Sequence, residues 1–184
     1  MMIVVDITGI NSNIKSLTKN ITDFTVNYND YYTKTENTSN SWVGMIATKF
    51  FDAQLENKTL NKKIIDNVQK YENLMSYIVN CYSEVSSKKI KIELSKKEII
   101  ENKYRDIDSS LRFAYDELGN VNNISVSSAQ GKISTARNKL EGAKVRTVTL
   151  FEKVNGYESR ISTKVSSMQI GKVEELNINP YMVN

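Results

Sequence analysis

Histidine is absent from the 184 residues of this chain, and cysteine, proline and tryptophan occur once each. Without histidine there is no Ser-His-Asp or Cys-His nucleophile system, no His-ligated zinc and no Glu-x-x-His di-iron bundle. A single cysteine, Cys81, excludes internal disulfides and any multi-cysteine metal site. One proline, Pro180, and seven glycines supply little of the punctuation that an all-β fold needs, so long uninterrupted helices are expected. No run approaches the roughly 18 apolar residues of a membrane span. The apolar opening, residues 1–7, lacks a basic flank and is interrupted by Asp6, so it does not read as a signal peptide. The net charge of +4 comes from interspersed residues of both signs, without the basic stripe of a nucleic-acid binder. These absences predict a protein that is not an enzyme and has no cofactor, no metal, no nucleic-acid partner and no stable membrane insertion.

What is present is periodicity. Ile10, Ile14, Leu17, Ile21, Phe24, Tyr28 and Tyr31 follow alternating steps of four and three, a heptad-like stripe that predicts a helix over about 8–36. The polar run 37–41 breaks it, since such side chains compete with helical hydrogen bonds. A second helix is predicted over about 41–86, carrying Ile46, Ala53, Leu60, Ile64, Tyr71, Leu74, Ile78 and Cys81. Residues 88–94 lose the helical period and alternate, which reads as a connector, extended in form. Ser95 and Glu98 form the Ser-x-x-Glu pattern of a capping box, opening a third helix over about 95–118 with the stripe Ile100, Tyr104, Ile107, Leu111, Ala114 and Leu118. Gly119 and Asn120 supply its stop. A fourth helix, about 127–169, carries a stripe from Ile133 to Met168, and 171–184 reads as a flexible tail.

The two halves share a plan. Shifting the first by 87 residues places Leu17 on Tyr104, Phe24 on Leu111, Ile46 on Ile133 and Gly44 on Gly131. The expected domains are therefore a hairpin over 1–87, the connector 88–94 and a second hairpin over 95–170. The expected fold class is all-α, two long hairpins forming an elongated antiparallel four-helix bundle.

At the start of the second helix the chain reads Ser41-Trp42-Val43-Gly44-Met45-Ile46-Ala47-Thr48-Lys49-Phe50. A large apolar Trp42 can plug the open end of the hairpin, its indole N–H reaching an orphan carbonyl of the first helix. Gly44 would spare a side chain where the facing helix approaches. A Trp-x-Gly in a polar hinge between two long stripes, with Phe50 eight residues on, resembles the WXG100 (ESAT-6-like) family of type VII secretion systems over about residues 8–86. The second half keeps Ser128 and Gly131 but has Ala129 in place of the tryptophan, a degenerate copy of the motif.

That resemblance implies an antiparallel dimer of hairpins, here fused into one chain and so monomeric as a pseudo-dimer. It also implies a Tyr-x-x-x-Asp/Glu export signal after the second helix. Two matches exist, Tyr32 with Glu36 and Tyr104 with Asp108, but both fall inside first helices of their hairpins. The carboxylates Asp106/Asp108 and Glu174-Glu175 otherwise read as solvated helix charge. The resemblance thus implies a non-catalytic protein, cytoplasmic or secreted without a cleaved signal. Its partner would be a helical protein, an effector of the secretion system or the secretion ATPase. A helical scaffold unrelated to secretion is the alternative reading of the same stripes.

Overall fold

The structure, a computed structural model, describes residues 1–121 and 125–170. The segment 171–184, with Pro180 and Glu174-Glu175, lies outside the described residues. The chain runs through β1 (Met2–Asp6), α1 (Ile7–Ser39), α2 (Met45–Ser83), β2 (Lys89–Glu93), a 3-10 turn (Leu94–Lys96), α3 (Lys97–Gly119) and α4 (Ser125–Ser167). The fold is all-α, four helices arranged as two hairpins, α1–α2 and α3–α4. It divides into two compact units. One comprises Met1–Ile7 and Tyr82–Arg160; the other comprises Thr8–Cys81 and the described residues from Ile161 onward.

In the first unit β1 and β2 form an antiparallel two-stranded ribbon, with Ile3 opposite Ile92 and Val5 opposite Ile90. Both strands alternate apolar and exposed positions, so one face of the ribbon is apolar and covered. Ile3, Ile7, Ile90, Tyr82, Phe151, Val154 and Tyr157 are the buried apolar side chains of this unit. Tyr82 and Tyr157 meet edge to face at 5.4 Å, and each hydroxyl donates to a carboxylate: Tyr82 to Glu158, Tyr157 to Glu84 at 2.7 Å. Two buried phenols thereby satisfy their polar ends. The α3–α4 hairpin is tied by Tyr104 against Thr147 at 3.1 Å and by Arg137 on Asp108.

In the second unit α1 lies antiparallel to α2. Tyr28 donates to the Lys58 carbonyl at 2.8 Å, Tyr31 to Gln54 Oε1 at 2.8 Å, and Thr18 to Glu72 at 2.5 Å. Ala47 and Ala53 are buried on α2, small residues that bring its backbone close to the neighbour.

The buried faces depart from the heptad reading in a consistent way. Along α1 the covered face passes from Tyr28 to Tyr32, Thr35 and Ser39, and Tyr31 is exposed. Along α3 it passes from Tyr104 to Asp108, Leu111, Tyr115 and Leu118, leaving Ile107 and Ala114 exposed. A strict 3.5-residue repeat drifts about 20° per heptad against a straight helix, enough to shift the face by one residue after three turns. On α2, Ile46 and Tyr71 are likewise exposed, and Ala47 is buried instead of Ile46.

The capping box is also corrected. Ser95 lies in the 3-10 turn and its hydroxyl bonds to Glu93 at 3.2 Å, while α3 opens at Lys97 with no side-chain cap.

The 87-residue shift does not describe the helix ends. Ser39 closes α1 and Gly119 closes α3, 80 residues on; Met45 opens α2 and Ser125 opens α4, again 80 residues on. The two offsets differ by one heptad, and stripes that recur every seven residues agree equally well with either.

Candidate functional site

The first hairpin turn concentrates the chain's unusual residues. The end of α1 is rich in hydroxyls that bond back one turn, which satisfies carbonyls the helix would otherwise leave open. Thr35 bonds to the Tyr31 carbonyl at 2.9 Å, Thr38 to Lys34 at 2.9 Å and Ser39 to Glu36 at 2.6 Å. Ser41 N–H then closes a turn on the Thr38 carbonyl at 2.9 Å. Among the described residues Gly44 alone has a positive φ, +123°. Its carbonyl accepts the Thr48 N–H at 2.9 Å and starts α2.

The role expected for Gly44 changes accordingly. A Cβ built there meets no atom within 4 Å, so the facing helix does not demand glycine. The backbone does, because that φ is open essentially to glycine alone.

Trp42 sits on the side chains that follow it. Its ring lies 5.4 Å from Phe50 and 5.9 Å from Phe51, and those two rings meet at 5.3 Å. The indole remains 40% exposed and makes no hydrogen bond to α1, so the expected plug on an orphan carbonyl is replaced by an aromatic cluster on α2's own first turns. Val43 and Met45 project still further, at 85% and 75% exposed. From 37 to 48 the chain carries no charged residue. The turn is thus an uncharged, aromatic and aliphatic end.

Beside it a cavity of about 260 Å³ is lined by Tyr32, Glu36, Phe51, Asp52, Gln54 and Lys58, among others. Lys58 pairs with Glu36 at 2.6 Å and lies 5.6 Å from the centre of the Tyr32 ring. Its hydrogen bond to Glu36 raises the ammonium above its ordinary pKa. Burial raises the Tyr28 phenol, opposed by the nearby Lys58 charge.

Of the residues singled out from sequence, Trp42, Gly44 and Phe50 come together at this turn. Ala129 and Gly131 do not form a second one: both lie within α4, which opens at Ser125. The stripes could be slid by a heptad, and that slide produced the false equivalence.

Tyr104 and Asp108 both reach α4. Tyr104 meets Thr147, and Asp108 takes a two-pronged ion pair from Arg137, Nε to Oδ1 at 2.7 Å and Nη2 to Oδ2 at 3.1 Å. The guanidinium holds the Asp108 carboxyl below its usual range, and Arg137 is raised in return. Tyr32 is buried and Glu36 is held by Lys58. Phe51, Gln54 and Lys58 were not anticipated; the Phe50-Phe51 doublet beside Trp42 was the available signal.

Among the described residues no group of acidic or sulfur ligands could hold a metal ion, and no helix is long and apolar enough to cross a membrane. No family model, curated protein or solved structure matches the chain.

Proposed function

We propose that this chain is a non-catalytic, WXG100-like protein of a type VII secretion system, working by docking a helical partner. It is either exported or held in the cytoplasm as an adaptor for a larger effector. The observation that carries the reading is the turn itself. Trp42-Val43-Gly44 occupies the reversal between two long helices, with glycine where the backbone requires it and Trp42 clustered on Phe50 and Phe51. An exposed, charge-free aromatic end is the kind of surface that supplies interface hot spots, where tryptophan is enriched.

Engagement of both Tyr-x-x-x-Asp/Glu matches in packing and ion pairs favours a protein that travels with, or serves, a partner. The test is an immunoblot of washed cells and clarified medium in the native host and in a strain lacking the secretion ATPase, with a cytosolic marker for lysis. Signal in the medium that disappears with the ATPase supports export. Retention in both strains leaves the adaptor arm, for which the wild-type chain must capture a secretion effector and Trp42→Ala must capture less. Retention without such capture returns the chain to the rival reading of a scaffold unrelated to secretion.

A further inference from the structure

The β1–β2 ribbon has two outer edges, and they differ in chemistry. Ile7 N–H bonds to the Lys88 carbonyl at 2.8 Å and Leu94 N–H to the Met1 carbonyl at 2.9 Å, in the same register as the strand pairs between them. Antiparallel strands exchange bonds at every second residue. Ile3 and Val5 therefore turn their N–H and C=O groups toward β2, while Met2 and Val4 turn theirs outward. On β2, Ile90 and Ile92 bond inward and Lys89 and Lys91 face out.

The solvent face of β2 is charged at each position, Lys89, Lys91 and Glu93, with Lys88 just before it. Charges of this kind, lysine above all, are the usual guard against strand addition. The corresponding face of β1 presents Met2 at 56% and Val4 at 52% exposure, with no lysine and no proline. One edge is guarded and the other is open.

We propose that the outer edge of β1 pairs with β1 of a second copy of this chain, antiparallel about a twofold axis at Ile3. The result is a four-stranded sheet in the order β2-β1-β1-β2. About that axis Met2 falls opposite Val4 of the partner subunit, and Val4 opposite Met2 of the partner subunit. Both are residues whose backbone already faces outward, so about four backbone hydrogen bonds form without rearrangement. The four side chains make one apolar patch on the solvent face.

Slipping the register by one residue would set outward-facing groups against inward-facing ones and lose those bonds. The β2 edge does not serve in the same way: a twofold axis at Ile90 sets Lys89 against Lys91 of the partner subunit, a like-charge pair. The twofold contact is isologous and closes at two chains. It uses no helical seam, so the apolar stripes that predicted a monomer are left satisfied as they are. A strand pair of this length buries little area, which places its affinity at about micromolar strength.

The test is sedimentation equilibrium of the full chain over a dilution series from about 1 µM to 1 mM. The wild-type mass is expected to rise from 21.0 kDa toward twice that value. Val4→Glu and Met2→Lys each weaken association roughly tenfold or more. Each replacement faces an opposite charge within its own ribbon, Lys91 for Val4→Glu and Glu93 for Met2→Lys, so the ribbon persists. Unchanged circular dichroism and unfolding midpoints check this. Combining the two variants sets the new charges opposite each other across the axis, and most of the lost affinity returns. A mass fixed at 21.0 kDa, growth beyond two chains, association indifferent to both single variants, or a double variant without recovery would each overturn the proposal.

Discussion

Gly44 and Gly131 occupy equivalent places under an 87-residue repeat, yet substitution by alanine should move stability in opposite directions. At Gly44 the space beyond Cα is empty, with no atom within 4 Å of a built Cβ, so no collision contributes. The whole effect comes from φ of +123°, which an L-residue occupies at a cost of about 1–3 kcal/mol. At Gly131 the space is also empty, but the residue lies in a helix and is exposed. There alanine removes glycine's conformational cost and adds about 1 kcal/mol of stability.

For a chain of this size each kcal/mol moves Tm by about 2–4 °C. Gly44→Ala is therefore expected to lower Tm by about 2–12 °C and Gly131→Ala to raise it by about 2–4 °C. Thermal and urea unfolding followed by far-UV circular dichroism read both. Destabilisation by both variants would mean that Gly131 also serves a turn, and the 80-residue correspondence of helix ends would fall. A neutral Gly44→Ala would remove the backbone account of the Trp-x-Gly turn.

Trp42→Ala should keep the helix content and lower stability by less than the roughly 3–5 kcal/mol of a fully buried tryptophan, because the ring is half exposed and only its contacts with Phe50 and Phe51 are lost; loss of helicity would contradict a cluster local to the turn. Tyr82→Phe should cost about 1.5–3 kcal/mol by removing a buried phenol's hydrogen bond to the Glu158 carboxylate, and a double-mutant cycle with Tyr157→Phe tests whether the two rings couple. Additive losses in that cycle would show two independent hydrogen bonds. Asp108 has a folded-state pKa below its ordinary value, so its contribution is present above the unfolded-state pKa and fades as pH falls through the lower folded value. Asp108→Asn should flatten that acid-side slope and leave the slope near neutrality unchanged; equal slopes from about pH 5 down to 2 in both proteins would refute the pairing.

Sequence periodicity was enough to read an all-α chain of two hairpins, because long stripes uninterrupted by proline leave few other folds. It was not enough to choose the last residues of each face. Tyr31 and Tyr32 on α1, and Ile107 and Asp108 on α3, differ by one position, which is the drift that a 3.5-residue pattern accumulates on a 3.6-residue helix. Counting at the helical period would have moved Tyr32 and Asp108 inward. Register along the chain suffered from the same source: offsets of 80 and 87 residues align the stripes equally, and only the helix ends separate them. The Trp42 turn was legible since tryptophan and glycine there have few substitutes. The ribbon was not. Residues 88–94 showed strand-like alternation, but their partner stands more than 80 residues earlier, in an opening read only for what it was not. A two-stranded ribbon is marginal alone, so its existence depends on Ile3 and Ile90 being covered within the same compact unit as Phe151 and Tyr157. Such nonlocal support leaves no mark in either strand's own sequence, and it explains why the one open strand edge of the chain becomes visible only in the folded molecule.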